Sequence, residues 1–278
     1  MVVAVASGKG GTGKTTIAVA LAEALKEAQI LDCDVEEPNV HLFLQPRIDA
    51  ASEVGILVPQ IDRARCDYCG RCAKVCYYHA LAVIRERVLF FAELCHGCGA
   101  CALACPTGAI SEVPRVTGWV EEGRAGPLDF AQGRLNLGEA MPSPVIRAVK
   151  ARQKPSRPVI RDVSPGTACP TAEALRGSDF CLLVTEPTPF GLADLKLAVD
   201  LTRELGLPAG IVINRADLGD DQVEQFCMAQ GLPVLLRIPF DRRVAEAYSR
   251  GQTLLSVRPE LRPFFLRMWA EMERKAVH

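Results

Sequence analysis

The sequence predicts an α/β fold, with a doubly wound, mostly parallel sheet interrupted by a small inserted α+β domain. Two observations predict it. The chain opens with the order strand, glycine-rich loop, helix and strand, which begins a doubly wound sheet. The same alternation returns near residue 159, and two runs of four cysteines lie between these stretches. We therefore expect a sheet-forming domain in two parts, at 1–60 and 114–278, around an insertion at 61–113.

The first elements follow from hydrophobic spacing. Residues 1–6 are an apolar run typical of a buried parallel strand. After the glycine-rich loop, Ile17, Leu21 and Leu25 recur every four residues among alanines, which indicates a helix. Residues 30–31 form a second strand that ends at Asp32.

The insertion follows from an interruption of this pattern. More than 120 residues with little strand–helix alternation separate Asp34 from the next clear strand at 159–160. A loop of that length is implausible in a compact domain. The cysteine block supplies the insertion, as two half-motifs at about 61–86 and 87–113. The glycine-rich segment 118–138 and the basic segment 147–158 lead back to the parent domain. Beyond them we expect strands at 180–185, 210–213 and 234–238, and helices at 192–205, 220–230, 241–250 and 259–275.

The glycine-rich loop fits the phosphate-binding pattern Gly-x-x-x-x-Gly-Lys-Thr, placed after a strand and before a helix. Its glycines allow backbone N–H groups to surround phosphate oxygens, and the helix N-terminus adds favourable partial charge. Lys14 is expected to meet the β- and γ-phosphates of ATP, and Thr15 to bind Mg²⁺. The expected nucleotide-binding residues here are Gly8, Lys9, Gly10, Gly11, Thr12, Gly13, Lys14, Thr15 and Thr16.

Lys9 adds a second lysine to this loop, in the order Lys-Gly-Gly-x-Gly-Lys-Thr. The loop thereby resembles the deviant Walker A motif of the MinD/ParA, Mrp and nitrogenase iron protein superfamily of P-loop NTPases. The resemblance implies an ATPase in which Lys9 contacts nucleotide phosphates across a homodimer, or across a heterodimer with a similar chain.

Acidic residues follow two of the strands, where ligands of open α/β sheets gather. The resemblance implies that Asp34 orients the attacking water and that Asp32 supports Mg²⁺. It also implies that Asp162, after the strand at 159–160, holds Mg²⁺ through water. The implied catalytic residues are Lys9, Lys14, Asp34 and Asp162.

Later segments extend the resemblance over nearly the whole chain. Asn214 and Arg215 resemble the pair that recognises adenine, and Pro239 and Asp241 resemble a second base-contacting loop. The segment 185–191 is similar to one found in superfamily members that carry an inserted ferredoxin module.

Each cysteine run has the spacing of a bacterial-type iron–sulfur half-site. The runs are Cys66, Cys69, Cys72, Cys76 and Cys95, Cys98, Cys101, Cys105. In two-cluster ferredoxins the last cysteine of each run binds the other cluster. One 4Fe–4S cluster is then expected on Cys66, Cys69, Cys72 and Cys105, and the second on Cys95, Cys98, Cys101 and Cys76. A proline follows the second run as the pattern requires, whereas Tyr77 follows the first.

Zinc is the competing metal, but four-cysteine zinc sites typically use two Cys-x-x-Cys pairs separated by a longer spacer. Of the remaining cysteines, Cys169 lies at a place comparable to a cluster ligand of the nitrogenase iron protein, which leaves a third, dimer-bridging cluster conceivable. We expect a small buried thiol there instead, as at Cys33, Cys181 and Cys227.

Composition is that of an ordinary globular protein, with 49% hydrophobic and 23% charged residues among 278. Net charge is −1, so no nucleic-acid partner is expected, and no apolar run is long enough for stable membrane insertion. Twelve cysteines without an export signal predict a cytoplasmic protein.

Three functions are consistent with these features. The leading hypothesis is an ATP-hydrolysing, nucleotide-gated electron-transfer protein that serves a redox or cofactor-assembly partner. The alternatives are an iron–sulfur cluster carrier and a spatial organiser that uses the apolar stripe of the last helix, a stripe more typical of helix-to-sheet packing.

Overall fold

A computed structural model describes residues 1–276, so the last two residues of the predicted segment 114–278 lie outside the description. The strands are β1 Val2–Ala6, β2 Gln29–Asp32, β3 Arg47–Ile61, β4 Leu81–Val83, β5 Val88–Phe90, β6 Ile110–Ala125, β7 Leu128–Leu135, β8 Val159–Asp162, β9 Phe180–Thr185, β10 Ala209–Asn214 and β11 Val234–Ile238. The helices are α1 Lys14–Leu25, α2 Val40–Leu44, α3 Arg71–Val75, α4 Ala100–Leu103, α5 Ser143–Lys150, α6 Cys169–Leu175, α7 Pro189–Glu204, α8 Gln222–Ala229, α9 Arg242–Tyr248, α10 Leu254–Val257 and α11 Arg262–Ala276.

Nine strands form one sheet in the order β11-β10-β9-β1-β8-β2-β7-β6-β3. The seven strands from β11 to β7 are parallel, whereas β6 is antiparallel to β7, and β3 is antiparallel to β6. The predicted α/β class with a mostly parallel sheet is confirmed.

Helices cover both faces of the sheet, each over its own apolar layer. One layer includes Ile17 and Leu21 of α1 together with Phe265 of α11. The other includes Val145 of α5 and Leu195 of α7. The layers are separate because successive side chains of a strand point to opposite faces. Both faces being buried explains why the parallel strands are continuous apolar runs.

The apolar stripe of α11 is part of the first layer. Phe265, Met268, Trp269 and Met272 are buried, and the helix packs against α1. The buried part of this stripe is thus occupied by the protein itself, while Phe264 is exposed. Among residues 1–276, no helix is both long and apolar enough to cross a membrane.

The segment between β2 and β8 differs from expectation. We expected little sheet structure in this segment outside the cysteine block. The structure shows that the segment contributes β3, β6 and β7 to the main sheet. The segment 118–138 is thus largely a hairpin of β6 and β7. Gly133 explains part of its glycine content, because a Cβ there would lie 2.5 Å from Val35 and 2.8 Å from Val145 and Val149. Glycine lets α5 pack directly onto the hairpin.

β3 and β6 extend beyond the sheet as a two-stranded ribbon. Gly118 of β6 pairs with Leu135 at the end of β7, so residues 110–117 lie beyond β7, and residues 110–116 pair with β3. At about 3.3 Å per residue this overhang is roughly 25 Å long. Thr117 is the extra residue of a β-bulge where the ribbon leaves the sheet, since Val54 pairs with Gly118 and Gly55 with Val116.

Residues 62–109, which we call the cysteine module, connect the far ends of this ribbon. They contain α3, α4 and the antiparallel pair β4–β5. Cys72 and Leu81 of the module form a small apolar cluster with Ile110 of β6. Because β7 runs parallel to β2, the ribbon projects past the carboxyl edge of the sheet, the edge at which the glycine-rich loop lies.

Candidate functional site

Strand register brings the predicted acidic residues together. Asp32 at the end of β2 pairs with Asp162 at the end of β8, and Asp162 pairs with Val5 of β1. The carboxyl ends of these strands therefore meet beside the loop that follows β1. Both carboxylates are fully buried.

The glycine-rich loop turns into α1 at Gly13, which has a φ of 90°. A Cβ there would lie 2.5 Å from Nδ2 of Asn214, so glycine is needed for both conformation and space. The same Nδ2 donates a hydrogen bond to the Thr12 carbonyl oxygen over 2.8 Å. Asn214 thus fixes the loop to the end of β10, a contact that its predicted adenine-binding role did not include.

Lys14 lies between two of the predicted catalytic carboxylates. Its Nζ is 3.0 Å from Oδ1 of Asp162 and 4.0 Å from Oδ2 of Asp34. Burial alone would lower the pKa of Lys14, but the two carboxylates outweigh it and raise that pKa. Thr15 donates a hydrogen bond to Oδ2 of Asp162 over 2.6 Å. A hydroxyl and carboxylates are the hard oxygen ligands that Mg²⁺ prefers, so this set fits the ion.

Asp32 has a structural role that its predicted part in Mg²⁺ binding did not include. Its Oδ1 accepts the N–H of Asp34, and its Oδ2 accepts those of Asn39 and Val40. It therefore holds the loop 33–40, which we call the switch loop, against the end of β2. Burial, followed by the charge of Asp162, raises the pKa of Asp32 to about 8. Burial also raises the pKa of Asp34.

Glu186 was not among the predicted site residues. It lies after β9, where its buried carboxylate is 3.8 Å from Nζ of Lys9 and also pairs with the guanidinium of Arg215. Its carboxylate therefore links Lys9, to which the resemblance assigns a phosphate contact, with Arg215, to which it assigns a base contact. Its position directly after an apolar strand is the same signal that identified Asp34 and Asp162.

A cavity of about 420 Å³ extends from these residues toward the other predicted contacts. Its far end contains Pro239, Phe240 and Asp241. Asp241 accepts the N–H of Arg243 and lies 3.0 Å from the guanidinium of Arg258. Its carboxylate thus organises the loop before α9. The lining residues among the predicted set are Gly10, Gly11, Gly13, Lys14, Thr15, Thr16, Asp34, Asn214, Arg215, Pro239 and Asp241.

The eight cysteines of the two runs line two separate cavities in the cysteine module. Cavity I is lined by Cys66, Cys69, Cys72 and Cys105. Cavity II is lined by Cys95, Cys98, Cys101 and Cys76. Three cysteines of one run thus share each cavity with the last cysteine of the other run. This is the grouping expected of cross-ligated clusters.

Backbone donors surround the last cysteine of each run in the same way. Ala80 N–H donates to Cys76 Sγ over 3.3 Å, and Ala109 N–H donates to Cys105 Sγ over 3.3 Å. Each of these sulfur atoms thus accepts a backbone hydrogen bond at the equivalent position of the repeat. Within the described residues, no three His, Cys, Asp or Glu side chains are arranged to hold a metal ion. Zinc draws its thiolates to about 2.3 Å from one point, so thiols around a cavity fit a larger group better.

The remaining cysteines divide differently from expectation. Cys33, Cys181 and Cys227 are buried as predicted. The prediction for Cys169 was wrong, because it is exposed at the start of α6. Cys69 and Cys98 are also exposed.

Comparisons with known proteins identify the family of this fold. The family model described as the CobQ/CobB/MinD/ParA nucleotide binding domain matches residues 3–254. An uncharacterized protein of Methanocaldococcus jannaschii is 33% identical over 263 residues, which cover 92% of this chain and 91% of that protein. The iron-sulfur cluster carrier protein of Aquifex aeolicus is 25% identical, over 93% of this chain and 63% of the carrier.

Among solved structures, the cell division ATPase MinD of Pyrococcus furiosus superposes with a TM-score of 0.58 at 18% identity, over 98% of each chain. The septum site-determining protein MinD of Pyrococcus horikoshii, complexed with Mg-ADP, gives a TM-score of 0.56 at 18% identity, over 96% of this chain and 93% of that one. At such identities the likeness shows the fold. Together with the match over residues 3–254, it shows that the chain belongs to the CobQ/CobB/MinD/ParA family of nucleotide-binding domains.

Proposed function

We propose that the protein is an ATP-hydrolysing iron–sulfur protein in which nucleotide state controls electron transfer by two 4Fe–4S clusters. It works as a dimer around nucleotide and delivers electrons to a redox or cofactor-assembly partner. The observation that carries the proposal is the sorting of eight cysteines into two four-cysteine cavities in a chain of a nucleotide-binding family.

In this proposal the nucleotide site uses the side chains described above. Lys14 neutralises the terminal phosphates, while Thr15 and Asp162 hold Mg²⁺. Asp34 orients the attacking water, and its carboxylate lies 4.0 Å from Nζ of Lys14. Lys9 breaks its ion pair with Glu186 and contacts the nucleotide that is bound by the partner subunit. The residues of cavities I and II hold the clusters, which supply one-electron chemistry.

The position of the cysteine module supports coupling between the two activities. The ribbon projects past the edge at which Lys14, Asp34 and Asp162 meet. In superfamily members the deviant lysine acts across this edge in a dimer, so the module lies on the side that dimerisation changes.

A chain of contacts links the switch loop to the root of the ribbon. Leu135 N–H donates to the carbonyl oxygen of Val35, the residue next to Asp34. The following residue, Asn136, donates through its backbone to Thr117 and through its side chain to Val116. Movement of the switch loop is therefore passed to the bulge at which the ribbon leaves the sheet.

The expected strength of this coupling can be bounded. Allosteric coupling is typically about 1–3 kcal/mol, which corresponds to roughly 40–130 mV for one electron. Cluster potentials span roughly a volt. Nucleotide state is thus expected to adjust potentials or partner docking, whereas the residues around each cavity set the potentials themselves.

The first test is anaerobic purification followed by metal analysis, which we expect to give about eight irons per chain. A colourless protein that contains zinc instead contradicts the proposal. The second test measures both reduction potentials without nucleotide, with ADP and with ATP. A variant in which a short turn replaces residues 62–109 is the control, because Ile61 and Ile110 are paired neighbours. It is expected to retain ATPase activity and contain no iron.

An iron–sulfur cluster carrier is the second candidate function. The similarity to the Aquifex aeolicus carrier favours it, as does the exposure of Cys69 and Cys98, one in each cavity. Incubation of the loaded protein with a cysteine-containing apo-acceptor discriminates between the candidates. Full retention of iron supports electron transfer, whereas stoichiometric loss to the acceptor supports the carrier.

A further inference from the structure

The two cavities are related by the internal repeat but differ in charge. A shift of 29 residues converts Cys66, Cys69, Cys72 and Cys76 into Cys95, Cys98, Cys101 and Cys105. The same shift relates other lining positions, so residues that break the symmetry can be identified directly. Three such differences act in the same electrostatic direction.

The first difference places a carboxylate at cavity II. Glu112 lines cavity II, whereas its repeat equivalent in cavity I is Val83. The carboxylate lies against Gly99, where a Cβ would be 3.4 Å from Oε1 of Glu112. Gly99 directly follows Cys98, so this charge is beside one ligand position of cavity II.

The second difference places a cation at cavity I. Arg71 lines cavity I, and its equivalent in cavity II is Ala100. Asp67 also lines cavity I, while the guanidinium of nearby Arg65 donates to the Thr107 carbonyl oxygen over 3.1 Å. Among the lining residues, the charge of Arg71 offsets that of Asp67, so cavity I has no net negative charge. Near cavity II, Arg115 is neutralised by its pair with Glu139, which leaves the charge of Glu112.

The third difference is a hydroxyl at one sulfur. The Thr107 hydroxyl is 3.6 Å from Sγ of Cys105, a ligand position of cavity I. The equivalent residue in the other half is Tyr78, whose ring stacks on His96 with centroids 3.5 Å apart. Cavity I thus has a hydroxyl group beside one ligand sulfur. Among the described residues, no hydroxyl group contacts a sulfur of cavity II.

We propose that the cluster in cavity I has the higher reduction potential, that Arg71 and Thr107 raise it, and that Glu112 lowers the potential of the cluster in cavity II. This inference rests on the proposed function. Reduction adds one electron and therefore one negative charge to a cluster. Nearby cations and donors to sulfur stabilise the reduced form, and a carboxylate destabilises it. The first electron from a one-electron donor then resides in cavity I.

The test is a redox titration of the anaerobic holoprotein with dithionite, monitored by electron paramagnetic resonance. The wild-type protein is expected to show two midpoints. Glu112→Gln should raise the lower midpoint and leave the upper one unchanged. Arg71→Ala and Thr107→Val should lower the upper midpoint and leave the lower one unchanged, and Arg71→Lys should restore it. Glu93→Gln, an exposed carboxylate of the module that lines neither cavity, should move neither midpoint.

Several outcomes overturn the inference. Two clusters with indistinguishable midpoints contradict it while leaving the proposed function intact. A Glu112→Gln shift in the upper midpoint reverses the assignment. Absence of iron in the wild-type protein instead defeats the proposed function. Iron content is measured for each variant, and Glu112→Val, which copies Val83, is a second replacement at the same position.

Discussion

Lys9 and Glu186 form an ion pair within one subunit, with Nζ 3.8 Å from the carboxylate. Because Lys9 is expected to act on the nucleotide of the partner subunit, this pair competes with dimerisation. Glu186→Gln should therefore lower the protein concentration needed for the ATP-dependent dimer by about two- to fivefold. Sedimentation velocity in the presence of ATP measures this concentration. Glu204→Gln on α7 is the matched surface control, and unchanged dimerisation in Glu186→Gln contradicts the competition.

Asp34 is expected to be essential for hydrolysis but not for binding. Asp34→Asn keeps the size of the side chain and removes the charge that orients water, so kcat should fall by about 10²-fold or more. ATP affinity, measured by calorimetry, should stay within a few-fold. Glu36→Gln, an exposed neighbour in the switch loop, should retain full turnover. Equal losses in both variants argue against a specific role for Asp34.

Glu139 binds the ribbon near its root through a bidentate pair with Arg115. Glu139→Gln should weaken the transmission of nucleotide state, because one of the contacts that hold residues 135–139 to the ribbon is lost. We expect the ATP-dependent shift in cluster midpoints to shrink while ATP turnover is unchanged. Asp49→Asn, which breaks an exposed pair with Arg47, is the control. If the ATP-dependent shift in Glu139→Gln is as large as in the wild-type protein, the coupling does not depend on this ion pair.

Arg161 stabilises the C-terminal end of α6 from inside the sheet. Its buried guanidinium donates to the carbonyl oxygens of Ala174, Arg176 and Gly177, and burial lowers its pKa. Arg161→Met leaves the buried carbonyl of Ala174 and the partly buried carbonyls of Arg176 and Gly177 without this donor, and it should reduce the free energy of unfolding by about 3 kcal/mol. Urea denaturation measures the loss.

The exposed Arg176 supplies the control for that experiment. Arg176→Met should change the free energy of unfolding by less than about 0.5 kcal/mol. If Arg161→Met reduces the free energy of unfolding by a similarly small amount, water replaces the guanidinium as the donor to these carbonyl oxygens.

Thiol reactivity should separate Cys169 from the buried cysteines. Burial raises the pKa of Cys181 to about 12 and, with Glu224, that of Cys227 to about 11. At pH 8 their thiolate fractions are about 10⁻⁴ and 10⁻³. Iodoacetamide should therefore label Cys169 in the folded protein and reach Cys181 and Cys227 only after denaturation. Peptide mass spectrometry reads out each site, and early labelling of Cys181 contradicts its burial.

Much of the site could be predicted because its chemistry is local. The loop containing Lys14 is a contiguous motif, and Asp34 and Asp162 each follow a buried apolar strand. The pairing of cysteine runs across two cavities was likewise implied by spacing. Contacts that join distant segments, such as Asn214 with Thr12, were not visible in any one stretch of sequence.

β3 was not predicted because it lacks the usual signal. Most of Arg47–Ile61 is exposed or half-buried, so its side chains show no clear alternation between apolar and polar. Backbone pairing with β6, rather than burial of one face, keeps this strand in the sheet. The glycine content of β6 and β7 was likewise not explained by the sequence alone, whereas the structure shows that Gly133 is required for close packing against α5.

The ribbon of β3 and β6 amplifies motion. A rotation of about ten degrees at Thr117 displaces a tip roughly 25 Å away by about 4 Å. Tunnelling between redox centres weakens steeply with separation, so a swing of that size is enough to connect or disconnect an electron acceptor. Under the proposed function, a slight readjustment around a γ-phosphate would therefore be enough to change the distance between the clusters and their electron acceptor.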